Sequence, residues 1–362
     1  MKKLFTILAV AATLVSCAKE DVVREAAREA IGFDNAFVEN STRSVNDPSW
    51  SNTNLFSNFA VYGYVENASL FNNVEVSGSA LNGNWTYTNT QYWITGAKYN
   101  FAAIAPAANG VDGVFTVDKN GNDYVGTTVL PFTNNGQNDL LYAQNPQYQA
   151  GDTGTNEKVE FSFRHALSKV KFSFENDYNA TAATIKVHTI KIENAFETAR
   201  ATLGVNSTNW DNHNGTLVLD FGNASDNEAT DAKESVEVAY ADNYTYESLN
   251  ERFLIPGAVP SVTIQENGAN VTNVGYKVTF KVDLLVNGTT IKSYNHTAYA
   301  NFTPEAGNAY DIKTTITASN IDPDNAQQPI EFTVTAINDW GNGNTTDTSD
   351  PVDGVNDVYP IN

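Results

Sequence analysis

Alternating hydrophobic and polar positions dominate the chain from Ile31 onward, in short segments separated by polar turns. In the first segment Ile31, Phe33 and Phe37 fall on one face of an extended strand, because successive side chains of a strand point to opposite faces. No sustained 3.6-residue stripe follows, so helices are not predicted as principal elements. Many short strands with frequent turns predict an all-β protein built of sandwiches or open barrels.

The same alternation recurs to the end of the last hydrophobic segment. The further predicted strands are FAVYGYV (59–65), TYTNTQYWI (86–94), YNFAAIA (99–105), VEFSFRHAL (159–167), KVKFSFE (169–175), TIKVHTIKI (184–192), TLVLDF (216–221), ESVEVAYA (234–241), YKVTFKVDLLV (276–286), TIKSYNHTAYANF (290–302), DIKTTITAS (311–319) and IEFTVTAI (330–337). Asn-Gly pairs tolerate positive φ and predict tight hairpins. Those that separate predicted strands include the pairs that begin at Asn82, Asn109, Asn120, Asn267 and Asn287.

Polar segments between the strands suggest the domain organisation. The stretch 176–184 predicts a link between an N-terminal β-sandwich domain (31–177) and a C-terminal one (178–340). The Asn-rich stretches 204–215 and 223–231 are predicted to be solvated connections. Residues 341–362 form a polar tail whose apolar positions are sparse and interrupted by two prolines, which makes it a mediocre strand.

The first sixteen residues predict a secretory signal peptide, with two lysines, an apolar stretch and small residues before a junction. The stretch is shorter than the roughly 20 apolar residues of a membrane-spanning helix. Its ending, Leu14 to Cys17, resembles a bacterial lipoprotein box, in which the cysteine thiol carries fatty acyl chains such as palmitate. The alternative is an ordinary signal peptide with an incidental cysteine. Residues 17–30 are predicted to be a lipidated tether, and Lys19-Glu20-Asp21 resembles a tag for the outer face of the outer membrane.

Charge narrows the class of partner. The formal net charge is −21, from 21 Lys and Arg against 42 Asp and Glu. Nucleic acids and anionic lipid surfaces are bound by clustered Lys and Arg, so neither is predicted as a partner. Contact with a membrane is predicted only through the lipid on Cys17. This is the single cysteine of the chain, so packing and not disulfides must supply the stability.

Catalytic chemistry is not predicted from the residue patterns. A structural role is predicted for His165, His188 and His296, and a solvated position for His213 in a turn. No nucleophile elbow, phosphate-binding loop or dinucleotide fingerprint is present in the sequence. Carboxylates are plentiful, but their spacing singles out no glycosidase pair. The stretch 118–123 has some calcium-loop character without EF-hand spacing, and a hairpin turn is the preferred interpretation. No catalytic residue, metal site or cofactor is assigned.

Several stretches in a fixed order resemble the fimbrillin family, also called Mfa-like or type V pilin lipoprotein precursors. The stretches are Ile31-Gly32-Phe33, Ser41-Thr42-Arg43, Trp85 with Tyr87, Tyr92 to Ala97, Tyr99-Asn100-Phe101, Asp139 to Ala143, Phe163 to Val170, Leu254-Ile255-Pro256 and Trp340. The resemblance spans the chain after Cys17 and is strongest over 31–175. It implies two tandem transthyretin-like β-sandwich domains.

The resemblance also implies an assembly mechanism, donor-strand exchange. In this family a trypsin-like, Arg-specific protease removes the first strand of the lipidated precursor, and a strand from the next subunit fills the groove. Residues 31–43, with the apolar face of Ile31, Phe33 and Phe37, are the removable strand implied here. The polar segment around Arg43 and Ser44 is an accessible place for the cut. The alternative is that Arg43 is a solvated loop residue.

The predicted function is therefore that of a non-enzymatic, adhesive fimbrial subunit: stalk, tip or accessory. It is exported as a surface-exposed outer-membrane lipoprotein, joins a fimbria after maturation, and has other fimbrial subunits as partners. The tail 341–362 is a possible donor strand. One alternative is a monomeric surface lipoprotein that binds glycans through Trp50, Trp85, Trp93 and Trp210. A second is a secreted β-sandwich glycosidase.

Overall fold

A computed structural model describes residues 29–38, 57–78, 84–121, 123–149, 158–178, 183–222, 235–240, 247–248, 251–266, 269–321, 330 and 332–337. The strands are β1 Gly32–Val38, β2 Asn58–Val65, β3 Ala68–Ser77, β4 Thr86–Tyr87, β5 Lys98–Ala105, β6 Val114–Asn120, β7 Asp123–Thr133, β8 Leu141–Gln149, β9 Lys158–His165, β10 Ser168–Asp177, β11 Ala183–Ala195, β12 Thr198–Gly204, β13 Ser207–Asn214, β14 Leu217–Asp220, β15 Ser235–Ala239, β16 Glu247–Ser248, β17 Arg252–Leu254, β18 Ser261–Glu266, β19 Ala269–Val274, β20 Tyr276–Val286, β21 Thr289–Ala300, β22 Ala309–Thr317 and β23 Thr333–Ile337. A 3-10 helix spans Ala107–Gly110 and the helix α1 spans Ala318–Ile321.

The strands form four larger sheets and one ribbon. Sheet 1 has the order β1-β9-β8-β5-β2-β3-β4, and sheet 2 the order β13-β12-β7-β6. Sheet 3 has the order β16-β10-β22-β23 with β17 also on β10, and sheet 4 the order β14-β11-β20-β21 with β15 also on β11. Strands β18 and β19 pair as a separate ribbon. The predicted all-β class is confirmed.

The central strands of sheet 1, β2 and β5, are buried on both faces. On one face lies a cluster that we call the aromatic core, which includes Phe33, Phe59, Phe101 and Phe161. On the other face the alternate residues of the same strands pack against sheet 2, as Tyr62 of β2 does. Successive side chains of a strand point to opposite faces. Strands β2 and β5 are apolar on both faces, as expected of strands that are packed against other side chains on each face.

Sheets 3 and 4 enclose the C-terminal core. Phe172 and Phe174 of β10 face Ile185 and Val187 of β11 across it, and Phe280 of β20 belongs to the same cluster. Each of these five side chains is at most 3% exposed. The alternation of apolar and polar residues in β10, β11 and β20 turns one apolar face of each strand to this core, and in β11 it shifts by one position at an irregularity around Thr189.

Strand pairing crosses the predicted boundary at 177/178. The hairpin of β12 and β13 follows β11 in the chain but pairs with β7, with Ala201 opposite Leu130. Conversely, β10 precedes the boundary but pairs in parallel with β22, with Phe172 opposite Ile312. Each predicted domain thus contributes a strand to a sheet of the other. The division at 177/178 stays a prediction.

Two sequence-based expectations about loops are wrong. The stretch 204–215 contains strand β13, because Asn and Asp side chains alternate outward while Trp210 packs inward against sheet 2. Asn109-Gly110 ends a 3-10 helix and does not close a hairpin. By contrast, Asn287 and Gly288 connect β20 and β21 with φ of 51° and 75°, which confirms the predicted tight turn. The stretch 223–231 lies outside the described residues.

Within the described part of the chain, no helix has the length and hydropathy needed to cross a bilayer.

Candidate functional site

The first strand, β1, lies at one edge of sheet 1 and pairs in parallel with β9. Gly32 lies opposite Lys158 and Phe33 opposite Val159, and the register shifts between Asp34 and Phe37. Parallel neighbours cannot be joined by a tight turn. Strand β1 is therefore placed by a partner more than a hundred residues away, and not by a hairpin.

The residues that directly precede β1 are also hydrogen-bonded to residues in the range 87–93. The Ile31 N–H donates to the carbonyl of Gln91 at 2.8 Å, and the Trp93 N–H donates to the carbonyl of Glu29 at 2.9 Å. The Tyr87 hydroxyl donates to the Ile31 carbonyl at 2.7 Å. Burial raises the pKa of Tyr87, so this hydroxyl remains a protonated donor.

Phe33 is the centre of the aromatic core and is 1% exposed. Its ring stacks on Phe161 at 5.9 Å between centroids. Four further rings meet it at steep angles: Phe59 at 6.1 Å, Phe71 at 5.7 Å, Tyr87 at 5.5 Å and Phe101 at 6.4 Å. Edge-to-face and stacked rings at such distances attract one another beyond the burial of apolar area. The groove is thus shaped around the side chain of one residue of β1.

Polar contacts contribute less to the attachment of β1. Asp34 and Lys158 form an ion pair with Oδ2 and Nζ 3.1 Å apart, and both side chains are substantially exposed. Pairs of this kind contribute about 0–1 kcal/mol. Burial of Ile31, also 1% exposed, and of Phe33 contributes about 1.5–3 kcal/mol for each side chain. The apolar face and the backbone pairing therefore dominate the retention of the strand.

The structure describes part of the predicted site. Ile31 and Phe33 lie in the aromatic core, as their alternation predicts. The backbone of Phe37 continues β1, opposite Ser162 of β9. Cys17, the signal peptide, the tether up to residue 28, the segment with Arg43 and Ser44, and the tail 341–362 lie outside the described residues.

Three histidines have the predicted structural roles. His165 Nδ1 lies 2.5 Å from Asp139 Oδ2, and His188 Nε2 lies 3.1 Å from Asp283 Oδ2. The ring of His296 stacks on Phe280 at 5.3 Å, and burial lowers the pKa of His296 to about 4.

The solvated position predicted for His213 is wrong. This residue lies in strand β13 and not in a turn. Its ring packs on Phe196 at 4.9 Å, and its Nε2 lies 2.7 Å from the carbonyl oxygen of Pro256. The surrounding Asn and Asp residues suggested a turn, whereas pairing with β12 determines the conformation.

The tryptophans proposed to bind glycans lie in or against the cores. Trp85 is 8% exposed and meets Phe59 at 4.8 Å. Trp93 packs on Tyr99 at 4.7 Å, and the indole of Trp210 donates to the Ala166 carbonyl at 3.0 Å. Trp50 lies outside the described residues. The glycan-binding alternative through exposed tryptophans is not supported at the three described positions.

The stretch 118–123 joins the end of β6 to the start of β7, and Asn120 pairs with Asp123 across this hairpin. Gly121 has a φ of 65°, which suits glycine in a tight turn. Among the described residues, no group of three or more His, Cys, Asp or Glu side chains is arranged to hold a metal ion.

The sequence did not reveal the partner of β1. Phe161 and Phe163 alternate with polar residues in a predicted strand, but this pattern does not indicate that the strand pairs with β1. Parallel pairing over such a separation carries no turn signal, so only a comparison of many related sequences could have indicated the contact.

The architecture is that of an all-β protein whose first strand occupies an aromatic groove at a sheet edge. The fimbrillin-like family matches residues 42–340. The chain belongs to the fimbrillin-like family, which confirms the resemblance found in the sequence.

Several solved structures of bacterial proteins match the chain over most of its length. A candidate cell adhesion protein from Bacteroides ovatus is 16% identical, with 86% of this chain and 96% of that chain covered and a TM-score of 0.44. One from Bacteroides uniformis is 16% identical, with 87% and 98% covered and a TM-score of 0.41. One from Parabacteroides distasonis is 8% identical, with 86% and 96% covered and a TM-score of 0.37. No curated protein matches the chain.

Proposed function

We propose that the protein is an adhesive, non-enzymatic fimbrial subunit that assembles at the cell surface by donor-strand exchange. The observation that carries the proposal is β1: an edge strand, parallel to β9, whose Phe33 side chain occupies an aromatic groove together with the preceding Ile31. Membership in the fimbrillin-like family supports the same function.

The connection between β1 and β2 is the place where maturation would act. Val38 ends β1 and Asn58 begins β2, and the polar segment with Arg43 and Ser44 lies between them. After a cut at the Arg43–Ser44 bond, β1 stays attached only by non-covalent contacts. Its departure would expose the rings around Phe33 and the unpaired edge of β9. Such an edge accepts an added strand, with apolar pockets for alternate side chains.

Delivery to the surface follows from the N-terminal segment. In this proposal residues 1–16 are a signal peptide, Cys17 carries the lipid, and Lys19-Glu20-Asp21 directs the subunit to the outer face of the outer membrane. Each buried methylene of an acyl chain contributes about 0.8 kcal/mol, so several chains anchor firmly. A cut at Arg43 then leaves the lipid with the discarded strand. The partners are an Arg-specific protease, other fimbrial subunits and a surface ligand.

The test is controlled proteolysis of the purified precursor. We expect trypsin to yield a chain that begins at Ser44 and then forms ordered polymers, visible by electron microscopy and light scattering. Arg43→Ala should block both the cut and the polymers. Arg28→Ala is the matched control, because a cut there leaves β1 in place, and it should polymerise like the wild type.

A competitor peptide tests the groove itself. A peptide of residues 31–43 should refill the groove and inhibit polymerisation of the cut chain. The same peptide with Phe33→Ala should inhibit far less, because it lacks the side chain around which the groove is built. Polymers that form without any cut, or a mature surface form that retains Ile31 to Arg43, would contradict the proposal.

The tail can be tested as the donor strand by deleting residues 341–362. If the tail is the donor, the cut, shortened chain should remain monomeric while its groove still accepts the 31–43 peptide. Polymerisation of the shortened chain would assign the donor strand to another segment.

A further inference from the structure

Two neighbouring positions of β1 face opposite sides of sheet 1. Gly32 lies opposite Lys158 of β9, and Phe33 lies opposite Val159. Phe33 points into the aromatic core, and because successive side chains of a strand alternate, any side chain at position 32 would point to the other face. A strand that replaces β1 in the same register therefore meets different surroundings at these two positions.

The backbone conformation of Gly32 does not require glycine. Its φ lies outside the positive region that glycine adopts more readily than other residues. Glycine in a strand costs stability relative to other residues, because it orders a more flexible chain and packs no side chain. The reason for glycine at this position therefore lies in its surroundings.

The side chain of Lys158 occupies the space beside Gly32. A Cβ atom at position 32 would lie 3.1 Å from Lys158 Cγ and 3.6 Å from Lys158 Cδ, and the first of these distances is shorter than an ordinary van der Waals contact. The same side chain extends along β1 to Asp34, where its Nζ lies 3.1 Å from Oδ2. Lys158 therefore lies across the backbone of β1 at Gly32 and is bound to a carboxylate two residues further along.

Lys158 also offsets charge repulsion at Asp34. In the register of β1 and β9, Asp34 lies opposite Glu160. Like charges directly opposite each other destabilise a strand pair, and the ammonium of Lys158 counters this through its contact with Asp34. One lysine of the acceptor strand thus accommodates a residue without a side chain and a carboxylate two positions later.

The pocket on the other face suits a flat ring. Phe161 stacks on Phe33 with 16° between the ring planes, and Phe59 and Phe101 meet Phe33 edgewise at 89°. A branched aliphatic side chain would leave part of this space empty and would lose the ring contacts. The preceding residue, Ile31, is 1% exposed, so that position also requires an apolar side chain.

We infer that Lys158 is a specificity-determining residue of the groove, which prefers a donor strand with an apolar residue, glycine, an aromatic residue and a carboxylate in succession. This assignment rests on the proposed strand exchange and names the chemistry of the incoming strand. The pocket accepts the ring, while Lys158 disfavours a side chain at the glycine position and favours the carboxylate. A slip of one residue would move the ring to the face where Lys158 lies.

The tail of this chain meets these requirements only in part. Gly354 is the one glycine of the tail that is followed directly by an apolar residue, Val355, and then by Asn356. In the register of β1, Val355 would fill the ring pocket incompletely, and Asp353 would take the buried position of Ile31. A subunit with the full four-residue pattern is therefore a better donor for this groove than a second copy of this chain.

A double-mutant cycle in the uncut, full-length protein tests the role of Lys158. Gly32→Val should raise the equilibrium constant of unfolding at least about fivefold, because the branched side chain collides with Lys158. In the Lys158→Ala background the same substitution should be neutral or stabilising, since valine is favoured over glycine in strands. Urea denaturation measures all four proteins. An equal penalty in both backgrounds overturns the assignment.

A second lysine supplies the matched control. Lys186 pairs with Glu237 on sheet 4, away from the groove, so Lys186→Ala should leave the penalty of Gly32→Val unchanged. Relief of the penalty by Lys186→Ala would contradict a specific role of Lys158. If Gly32→Val does not fold, Gly32→Ala gives the same comparison with a smaller penalty, because its methyl group meets Lys158 Cγ at 3.1 Å.

Competitor peptides extend the test to strand exchange. On the cut wild-type chain, the 31–43 peptide with Gly32→Val should inhibit polymerisation at least about fivefold less than the unmodified peptide, whereas on the cut Lys158→Ala chain both should inhibit equally. A 350–362 peptide should inhibit less than the 31–43 peptide, and Val355→Phe should strengthen it. Equal inhibition by all these peptides on the wild-type chain contradicts the specificity. A cut chain that forms no polymers, with the double-mutant cycle as expected, contradicts the proposed function but supports the role of Lys158.

Discussion

Replacing Phe33 with alanine tests whether a single side chain holds the first strand in its groove. The ring is 1% exposed, so its removal loses about 1.5–3 kcal/mol of transfer free energy. A cavity is added to this loss, because the five surrounding rings come from β2, β3, β4, β5 and β9 and are fixed by their own sheet. We therefore expect Phe33→Ala to lower the free energy of unfolding by about 3–5 kcal/mol in total.

Urea denaturation followed by tryptophan fluorescence is the appropriate assay. Trp85 and Trp93 pack against the aromatic core, so the loss of that core changes their emission. Asp34→Ala is the matched control on the same strand; it removes a partly exposed ion pair and should cost about 0–1 kcal/mol. If Phe33→Ala destabilises the protein no more than this control, the aromatic groove does not retain β1.

Three further predictions concern stability. Burial lowers the pKa of His296 to about 4, so this side chain stays neutral in the folded protein above that pH. In the unfolded chain it takes up a proton below its ordinary pKa of 6.5. The free energy of unfolding should therefore fall by up to about 3 kcal/mol as the pH drops from 6.5 to 4. Gly63→Ala would place a methyl group 2.8 Å from Phe71 Cδ2 and should cost about 1–3 kcal/mol in thermal unfolding. Asn134→Ala removes the 2.9 Å bond to the Phe253 carbonyl and should cost about 1–3 kcal/mol in urea.

Each of these predictions has a result that contradicts it. His296→Gln should flatten the pH dependence between 6.5 and 4 relative to the wild type, and parallel curves would exclude His296 as its source. Gly32→Ala meets only the flexible Lys158 side chain at 3.1 Å, so it should be milder than Gly63→Ala. If Asn134→Ala leaves the stability unchanged, the bond to Phe253 does not tie sheet 2 to sheet 3.

Local sequence patterns predicted many strands because their physical causes are local. The alternation in 169–175, 184–192 and 276–286 follows from one buried face, and β10, β11 and β20 lie there. The Asn287–Gly288 turn follows from tolerance of positive φ. In contrast, β12 and β13 were missed as a pair, because most residues of β13 are polar and exposed and only its partner determines that it is a strand.

In the candidate site, too, some features could be predicted from the sequence and others could not. The apolar face of Ile31 and Phe33 could be inferred from the sequence, because it depends on residue type and spacing. The accessibility of a cut near Arg43 stays a prediction. The sequence alone thus determined an all-β chain with an apolar first strand, whereas its lipoprotein-like start stays a prediction. The tertiary structure decided that β1 pairs with β9, that a hairpin crosses between the two halves, and that Lys158 lies beside Gly32. These contacts join residues far apart in the chain, and their free energy comes from packing and pairing between segments, which no local pattern records.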